Sequence, residues 1–365
     1  MLIFVVAAPL QGHLLPLIPL ASACRDAGHE IVLASGDLPT SSLGLRTANI
    51  GARFSLPRSA IRVALRHPGI ARAEIAGRAG TTMVGELFGR ANLDLLDPLT
   101  RLAERERPDL IIYEPLAEAG AVVAGRLGVP SVLQENTLWP ATELFRAVSG
   151  SSAMRKYTLP EPDLTITVTP PSVGGGRSGR PMRPVPYSGG GEVPDWLLAP
   201  SDRPRIVVSR STLKGPNDGD PSAAVVAAAD RMDVEFVLAR PPDSVREGNL
   251  PPNVRTVGRI PLDLVIPHAA AYVHHGGAGS VLNGLSAGVP QLVVPGAGDR
   301  RHNAELVERR GAGLAVAAKA ITAAHLTRLI TDTGLRRAAQ EVSAEIAAMP
   351  APATLVPALA ALVKS

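Results

Sequence analysis

The sequence predicts an α/β protein made of two parallel-sheet, Rossmann-like domains that face each other across a cleft. Apolar strand patterns alternate with helical patterns in both halves of the chain, which is typical of parallel sheets. A stretch dominated by proline and glycine, residues 170–204, separates the halves and cannot hold a regular element. The length of 365 residues suits two domains of about 150 to 190 residues each.

Composition narrows the class of protein. The chain is 45% apolar but only 3% aromatic, so we expect a globular protein with aliphatic cores. A net charge of +4 is mild for this length, which argues against nucleic-acid binding and favours an anionic small molecule as partner. The single cysteine, Cys24, excludes intrachain disulfides and cysteine-built zinc sites, and we expect it to be buried on the first helix. Residues 1–10 resemble neither a leader nor a membrane span, so we expect a cytoplasmic protein without stable membrane insertion.

The first half opens with a strand-helix-strand pattern. The expected elements are a strand over 2–8, a loop over 9–13, a helix over 14–27 and a strand over 29–35. Ligands of open α/β sheets bind at the carboxyl ends of the strands, where this pattern places Gly12 and His13. By position alone, a polar cap is the commoner role for such a histidine, and catalysis is the alternative.

A carboxylate follows a later strand of the same half. Strands are expected over 110–113, 131–133 and 164–168, with a helix over 87–104. Glu114 directly follows the first of these strands, just as His13 follows the strand that opens the chain. If the two strands are neighbours, Glu114 can hold the His13 imidazole in one tautomer and stabilise it once protonated. Glu118, one turn into the next helix, is the competing candidate for that role.

The segment from Arg53 to Arg78 carries six arginines interleaved with aliphatic residues, without a clean period. A solvated pair of helices is the favoured interpretation. A mobile wall over a ligand and a weak contact with a membrane surface are the alternatives.

The second half repeats the alternation of strands and helices. Strands are expected over 205–209, 235–239, 254–257, 271–273, 291–294 and 314–317, and helices over 223–230, 280–287 and 303–310. The predicted organisation is a first domain over 1–190, a linker over 191–204, a second domain over 205–345, and a C-terminal helix over 346–365 that can pack back on the first domain. Tyr187 and Trp196 are expected to hold the connecting stretch against one domain.

The stretch 271–295 is the most informative, because it reads as strand, glycine turn, helix and strand. Its glycines permit a sharp bend and the close approach of a ligand to the amides of residues 278–280. We expect these amides to lack partners inside the helix, where the helix dipole also adds positive charge, so the turn suits a phosphate or diphosphate. His275 and Ser280 supply further donors. A tight packing turn is the alternative, and the spacing matches neither the dinucleotide fingerprint nor the Walker pattern.

Several runs of residues together resemble the GT-B glycosyltransferases of bacterial natural-product pathways. The runs are GHLLPLIPLA, PVPYSGGGEVPDWL, PPNVRTVGRIPLDLVIPHAAAYVHHGG, HHGGAGS, AGVPQLVVPGAGDRRHNAE and EIAAMPAPA. They agree with the family in order and spacing over nearly the whole chain, most strongly in the second half. The family is similar to UDP-glucuronosyl- and glucosyltransferases and attaches sugars from nucleotide donors, often dTDP-deoxysugars, to polyketide-type aglycones. The resemblance therefore implies a GT-B fold with an acceptor-binding first domain and a donor-binding second domain.

The resemblance also implies a role for individual residues. His13 would be the general base toward an acceptor hydroxyl, with Glu114 as its partner where the family usually has Asp. Single displacement implies inversion at the anomeric carbon. Neither metal nor cofactor is implied, since fixed amides hold the diphosphate and the nucleotide sugar is a substrate. The implied acceptor-binding residues are Gly12, Leu14 and Trp139. The implied donor-binding residues are Thr212, Arg259, Ile260, His275, Gly277, Ala278, Gly279, Ser280, Asp299 and Arg300.

Two other hypotheses stay open from the sequence. One is a non-catalytic or partner-dependent relative that binds nucleotide or aglycone without turnover; intact His13 and Glu114 argue against it. The other is a sugar-nucleotide epimerase, against which the loop GHLLP argues. The sequence leaves open the aglycone, the sugar, TDP against UDP, and the oligomeric state, for which a homodimer is one candidate.

Overall fold

The computed structural model describes residues 1–36, 44–75, 78–211 and 219–364. The chain divides into two compact units. The first comprises Met1–Thr169, Gly176–Arg183 and Met349–Ser365, and the second comprises Pro170–Gly175 and Pro184–Ala348. Each unit contains one parallel sheet, as the alternation of strands and helices predicts.

The first unit is built on a sheet of seven strands within the described residues. The strands are β1 (Leu2–Val6), β2 (Glu30–Ser35), β3 (Arg46–Asn49), β4 (Leu110–Tyr113), β5 (Ser131–Gln134), β6 (Leu164–Thr167) and β7 (Arg180–Pro181). Their order in the sheet is β3-β2-β1-β4-β5-β6-β7, and every pairing is parallel. The chain thus winds outward in opposite directions from β1 and β4, which makes the gap between them the topological switch point.

Helices cover this sheet and bury its aliphatic side chains. They are α1 (Gln11–Leu14), α2 (Ile18–Asp26), α3 (Leu56–Arg66), α4 (Pro68–Ile75), α5 (Thr82–Glu106), α6 (Ala119–Leu127) and α7 (Ala141–Ser149). The pair α3 and α4 agrees with the solvated helical pair favoured from the sequence, with Ile61, Leu65 and Ile75 exposed. Cys24 is buried on α2, as expected.

The second unit repeats the plan with six strands in the described part of the chain. The strands are β8 (Arg205–Ser209), β9 (Glu235–Ala239), β10 (Val254–Val257), β11 (Ala271–His274), β12 (Gln291–Val293) and β13 (Gly313–Ala315). Their order is β10-β9-β8-β11-β12-β13, again wholly parallel. The switch point here lies between β8 and β11.

The helices of the second unit alternate with these strands. They are α8 (Pro171–Gly174), α9 (Asp195–Leu198), α10 (Ser222–Ala229), α11 (Asp243–Arg246), α12 (Leu262–Val265), α13 (Ala278–Ser286), α14 (Arg300–Arg310), α15 (Ala323–Thr331) and α16 (Thr333–Ala348). The chain then returns to the first unit with α17 (Val356–Lys364).

Two edge strands of the first sheet escape a pattern-based prediction. β3 is polar and mostly exposed, so it shows no apolar run, and β7 is only two residues long and contains a proline. Both lie at the outer edges of the sheet, where a strand needs neither an apolar pattern nor every N–H group.

The start of the first helix also differs from the expectation. Instead of a loop over 9–13 and one helix over 14–27, α1 forms from Gln11, and a 3₁₀ turn over Leu15–Leu17 separates it from α2. Pro16 and Pro19 explain the interruption, because neither can donate a backbone hydrogen bond to the preceding turn. His13 therefore lies within a short helix.

The boundary between the units falls at Arg183 and Pro184, earlier than the predicted linker over 191–204. Leu197 is fully buried among aliphatic residues of the second unit, and Trp196 packs against the same cluster. Arg205 donates hydrogen bonds to the carbonyl oxygens of Leu197 at 2.7 Å and Trp196 at 3.1 Å. These contacts attach the part of the proline-rich segment around Trp196 and Leu197 to the second unit.

The C-terminal stretch belongs to both units in turn. By length and composition alone, Thr333–Lys364 could cross a membrane. In the structure it is divided by a 3₁₀ turn over Pro352–Leu355, which contacts α2. Side chains on both sides of the turn, such as Val342 and Leu359, are buried. Each helix therefore buries one face, while 28% of the apolar window as a whole is buried.

Candidate functional site

The switch point of the first sheet brings His13 and Glu114 together. His13 lies on α1, just after β1, and Glu114 directly follows β4, the strand paired with β1. The Nδ1 atom of His13 is 3.2 Å from Oε1 of Glu114. The juxtaposition that the sequence suggested for neighbouring strands is therefore present.

Glu114 is fully buried, and its oxygens are held by several donors besides the imidazole. Its Oε1 accepts the N–H of Ala8 at 3.1 Å. Its Oε2 accepts the N–H of Leu116 at 2.8 Å and the side-chain amide of Asn136 at 3.2 Å. Because backbone and side-chain donors occupy both oxygens, the carboxylate has one orientation and aims a lone pair at His13.

This arrangement defines the chemistry open to His13. A carboxylate accepts at Nδ1, so the tautomer that donates from Nδ1 leaves a lone pair on Nε2. The His13 side chain is 21% exposed and its ring centroid lies 5.2 Å from that of Phe88. An imidazole of this kind can take a proton at Nε2 while the carboxylate stabilises the resulting cation.

Glu118, the competing candidate, lies at the N-terminal cap of α6 and is fully buried. Burial raises the pKa of its carboxyl to about 9; the charge of Glu114 acts in the same direction, and a backbone hydrogen bond at Ser149 opposes the rise. At pH 7 Glu118 is therefore a neutral acid. Glu114, not Glu118, makes the contact with His13.

The residues implied in acceptor binding differ in their surroundings. Gly12 is exposed on α1, whereas the side chain of Leu14 is only 2% exposed and lies in the interior of the first unit. Trp139 is half-buried and packs against the core of the same unit. Of the three, Leu14 has little surface to offer a ligand.

The switch point of the second sheet holds the glycine turn. Gly276 adopts a φ of 83°, which favours glycine. A Cβ added to Gly277 would lie 2.6 Å from Nε2 of His275, whereas one added to Gly279 would meet nothing within 4 Å. Thus the ring of His275 packs directly on the backbone where α13 begins.

The predicted amide array needs one correction. The N–H of Ser280 donates to the carbonyl oxygen of Gly277 at 3.0 Å, because the helix begins with a tight turn. The amides of Ala278 and Gly279 occupy the first two helical positions, whose N–H groups point out of the helix end. The N-terminal end of α13 therefore offers two outward amides, with the Ser280 amide engaged.

His274 precedes the turn and is fully buried. The N–H of Gly276 donates to its Nδ1 at 3.1 Å, so the proton resides on Nε2, which lies 2.8 Å from Oε1 of Gln291. Burial lowers the pKa of His274 to about 4, and the bond with Gln291 opposes this shift. His274 is therefore a neutral group that fixes the shape of the turn.

His275 is neutral for a related reason. Burial lowers its pKa to about 3, and nearby positive charges, including those of Arg300 and Arg240, act in the same direction. Its buried Nδ1 has no hydrogen-bond partner in the described part of the chain. A neutral imidazole beside the end of α13 can donate to or accept from a ligand without adding charge.

The other implied donor-binding residues in the described part of the chain follow strands β10 and β12 of the second sheet. Asp299 occupies the position before the first residue of α14 and accepts the side-chain amide of Asn303 at 2.9 Å. Arg300 donates to Oγ of Ser211 at 3.1 Å. Arg259 is exposed, while the side chain of Ile260 is buried beside β10 and β11. Thr212 lies outside the described residues.

Three polar residues near these sites are absent from the sequence-based set. Asn136 holds Glu114, Asn303 donates to the carbonyl oxygen of Gly276 at 2.9 Å, and Arg240 donates to the carbonyl oxygen of Arg210 at 3.2 Å. Asn136 and Arg240 follow strands β5 and β9 closely, so the rule that ligands bind at carboxyl ends could have found them. Asn303 lies inside a helix and carries no such signal.

Within the described residues, no three His, Cys, Asp or Glu side chains are grouped so that they could hold a metal ion.

Two family models together match most of the chain. The model described as erythromycin biosynthesis protein CIII-like, N-terminal domain, matches residues 22–211. The corresponding C-terminal domain model matches residues 223–362. Residues 212–222 separate the two matched ranges.

Individual relatives agree over the full length. The elloramycin glycosyltransferase ElmGT of Streptomyces olivaceus is 35% identical, with 97% of this chain and 95% of the relative covered. The crystal structure of the glycosyltransferase SnogD from Streptomyces nogalater superposes with a TM-score of 0.84 at 32% identity, covering 99% of this chain and 100% of that one. The spinosyn rhamnosyltransferase SpnG complexed with thymidine diphosphate gives 0.81 at 30% identity, with 99% and 100% covered. The chain therefore belongs to the erythromycin biosynthesis protein CIII-like family, the GT-B glycosyltransferases of antibiotic and polyketide biosynthesis.

Proposed function

We propose that this protein is an inverting, metal-independent glycosyltransferase of the cytoplasm. Its donor would be a nucleoside diphosphate sugar, with a dTDP-deoxysugar expected, and its acceptor a hydroxyl group on a hydrophobic polyketide-type aglycone. The observation that carries this proposal is the 3.2 Å contact between Nδ1 of His13 and the buried carboxylate of Glu114.

In the proposed reaction, His13 is the general base. The acceptor hydroxyl loses its proton to Nε2 of His13 while its oxygen forms a bond to the anomeric carbon of the donor. The bond from that carbon to the diphosphate oxygen breaks, and the diphosphate departs with the bonding electrons. Glu114 holds the imidazole and stabilises its charged form. General-base catalysis by the imidazole supplies on the order of 10²- to 10⁴-fold in rate. One displacement from the opposite face inverts the anomeric configuration.

The leaving diphosphate is assigned to the end of α13. The outward amides of Ala278 and Gly279 and the positive end of the helix dipole favour a phosphate group there. The neutral ring of His275 packs against the same backbone and can donate a hydrogen bond to it. Charge stabilisation of a leaving group by fixed donors needs no metal ion, because the donors are already oriented.

The choice of thymidine and of a polyketide-type acceptor rests on relatives. SpnG has been solved with thymidine diphosphate and with spinosyn aglycone, the latter at 29% identity and a TM-score of 0.80 to this chain. We extend both substrate classes to this protein. Asp299 is assigned to the hydroxyls of the donor sugar and Arg259 to the face of the base, where a guanidinium can stack.

A thermal-shift titration with TDP, UDP, GDP and ADP is the first test. A nucleotide present at about 100 times its Kd adds roughly 2.7 kcal/mol to the free energy of unfolding. We expect TDP to stabilise the protein most. Stabilisation by none of the four would contradict the proposed donor site. Stabilisation by TDP without transfer from any TDP-sugar to a panel of aglycones would instead favour a non-catalytic or partner-dependent relative.

A further inference from the structure

A row of basic residues lines the carboxyl edge of the second sheet. Arg210 directly follows β8, and Arg240 directly follows β9; the strands pair in register so that Ser209 lies opposite Ala239. On the other side of β8, Ser209 lies opposite His274, so that His275 continues the row. The ends of three adjacent parallel strands are thus followed, side by side, by Arg240, Arg210 and His275.

Arg240 has an unusual backbone for its residue type. Its φ is 54°, in the left-handed region that side chains other than glycine rarely adopt. Its guanidinium donates to the carbonyl oxygen of Arg210 at 3.2 Å, so the side chain turns across the sheet edge toward β8 and the switch point. Such a backbone persists only where the surrounding structure holds it, and it is commonest at sites of function.

Positive charge at this edge is poorly compensated. Arg240 is half-buried, and burial lowers the pKa of its guanidinium, with the charges of Arg210 and Arg259 acting in the same direction. Among the described residues Arg240 pairs with no carboxylate, and the nearest one to Arg210, that of Asp220, is 3.9 Å from its Nη1. In that part of the chain the buried Nε of Arg210 also has no partner. Like charges placed together and partly desolvated favour a bound anion.

The row reaches the start of α13. The charge of Arg240 lowers the pKa of His275, whose ring packs on Gly277. The Tyr272 hydroxyl, which also feels the charge of Arg240, lies 2.6 Å from Oγ of Ser209. Arg240 therefore acts on the same few residues that frame the two outward amides of the helix.

We propose that Arg240 and Arg210 form a phosphate subsite beside the N-terminus of α13 and bind the diphosphate of the donor. This inference rests on the proposed function and adds two ligands to it that neither the family resemblance nor the motif supplied. Guanidinium groups match phosphate oxygens in geometry and stay charged at every physiological pH. As the anomeric bond breaks, the departing diphosphate gains negative charge, which the two cations stabilise without forming a covalent bond.

The test compares Arg240→Gln with Arg246→Gln by calorimetric titration of TDP and thymidine. Arg246 lies on α11 in the same unit, is well exposed and pairs with Asp243, so its change removes the same charge away from the sheet edge. We expect Arg240→Gln to weaken TDP binding on the order of 10- to 100-fold, leave thymidine binding unchanged, and flatten the salt dependence of TDP binding. Arg246→Gln should match the wild type.

Thermal unfolding keeps the test independent of folding defects. Without nucleotide, Arg240→Gln should melt at or above the temperature of the wild type, because a buried like charge is removed. An equal loss of affinity for TDP and for thymidine would overturn the phosphate subsite. Unchanged affinity for both, while the wild type binds TDP, would also overturn it. Either result would leave the proposed function intact. Absence of TDP binding by the wild type would overturn the proposed function itself.

Discussion

The two switch points occupy equivalent places in two parallel sheets, yet their histidines differ in kind. In the first unit, β4 ends in a carboxylate, and Glu114 contacts a partly exposed His13 at 3.2 Å. In the second unit, Arg210 follows β8 on one side of β11, and Gln291 begins β12 on the other side. His274 therefore contacts the Gln291 amide, and His275 lies near cationic side chains. A carboxylate prepares an imidazole to take a proton, whereas burial among cations keeps it neutral.

In the proposed function, this difference separates the two halves of a group-transfer reaction. A base requires an imidazole that can become charged, and a diphosphate site requires donors that stay in place around an anion. The topology supplies the same edge to both, because loops at the carboxyl ends of parallel strands converge. The residue that follows the neighbouring strand then decides which chemistry the edge can perform.

The largest effect should come from removing the proposed base. We expect His13→Ala to lower transfer by about 10²- to 10⁴-fold while TDP binding changes little, because the imidazole acts on the acceptor proton. Single-turnover transfer and TDP titration measure the two quantities. His29→Ala is the matched control, since His29 precedes β2 at the opposite edge of the sheet. Full transfer activity in the His13 variant would contradict the assignment of the base to the edge of the first sheet.

A smaller effect, a loss of TDP affinity, is expected when a methyl group is added to the glycine turn. The Cβ of Gly277→Ala would lie 2.6 Å from Nε2 of His275, so either the ring or the start of α13 must shift. We expect TDP binding to weaken roughly tenfold, about 1.4 kcal/mol, through displaced donors. Gly69→Ala places its methyl group in open space on α4 of the first unit, and its TDP affinity should stay within twofold of the wild type. Equal effects of the two changes would argue against a role for the His275 contact.

We expect acid to lower the free energy of unfolding through protonation of the buried His274. The folded-state pKa of about 4 lies below the ordinary value of 6.5, so the neutral form is favoured by folding. The contribution is fully present above pH 6.5 and is lost, at up to roughly 1.4 kcal/mol per pH unit, as the pH falls toward 4. We therefore expect the unfolding free energy of His274→Gln to fall less between pH 6.5 and 5 than that of the wild type. Parallel pH profiles would show that His274 is not held neutral.

The smallest effect concerns the carboxyl group that does not contact His13. Burial raises the pKa of Glu118 from 4.5 to about 9, so its contribution is present below pH 4.5 and is lost as the pH rises toward 9. Glu118→Gln replaces the acid by a neutral group of similar shape and should stabilise the protein by roughly 1 kcal/mol more at pH 6 than at pH 5. Chemical unfolding at both pH values measures this. A loss of stability that is larger at pH 6 would mean that Glu118 is ionised in the fold.

The sequence by itself determined the class of fold. Continuous apolar runs such as LIFVV and LIIY are typical of strands buried on both faces, and their alternation with helical patterns is typical of parallel sheets. The same local patterns located His13, Glu114 and the glycine turn, because a residue that follows a buried strand must lie at its carboxyl end. The edge strands and the proline-interrupted start of the first helix were not predicted from the sequence, since neither has a regular apolar pattern.

Only the tertiary structure decided which side chains meet. The strand order places β4 beside β1. His13 therefore contacts Glu114 and not Glu118, which lies four residues further along the chain. The register of β8, β9 and β11 likewise brought Arg210, Arg240 and His275 into one row, although 65 positions separate the first from the last. Burial and charge then set the protonation states, because the cost of a charge depends on its neighbours in space and not on its neighbours along the chain.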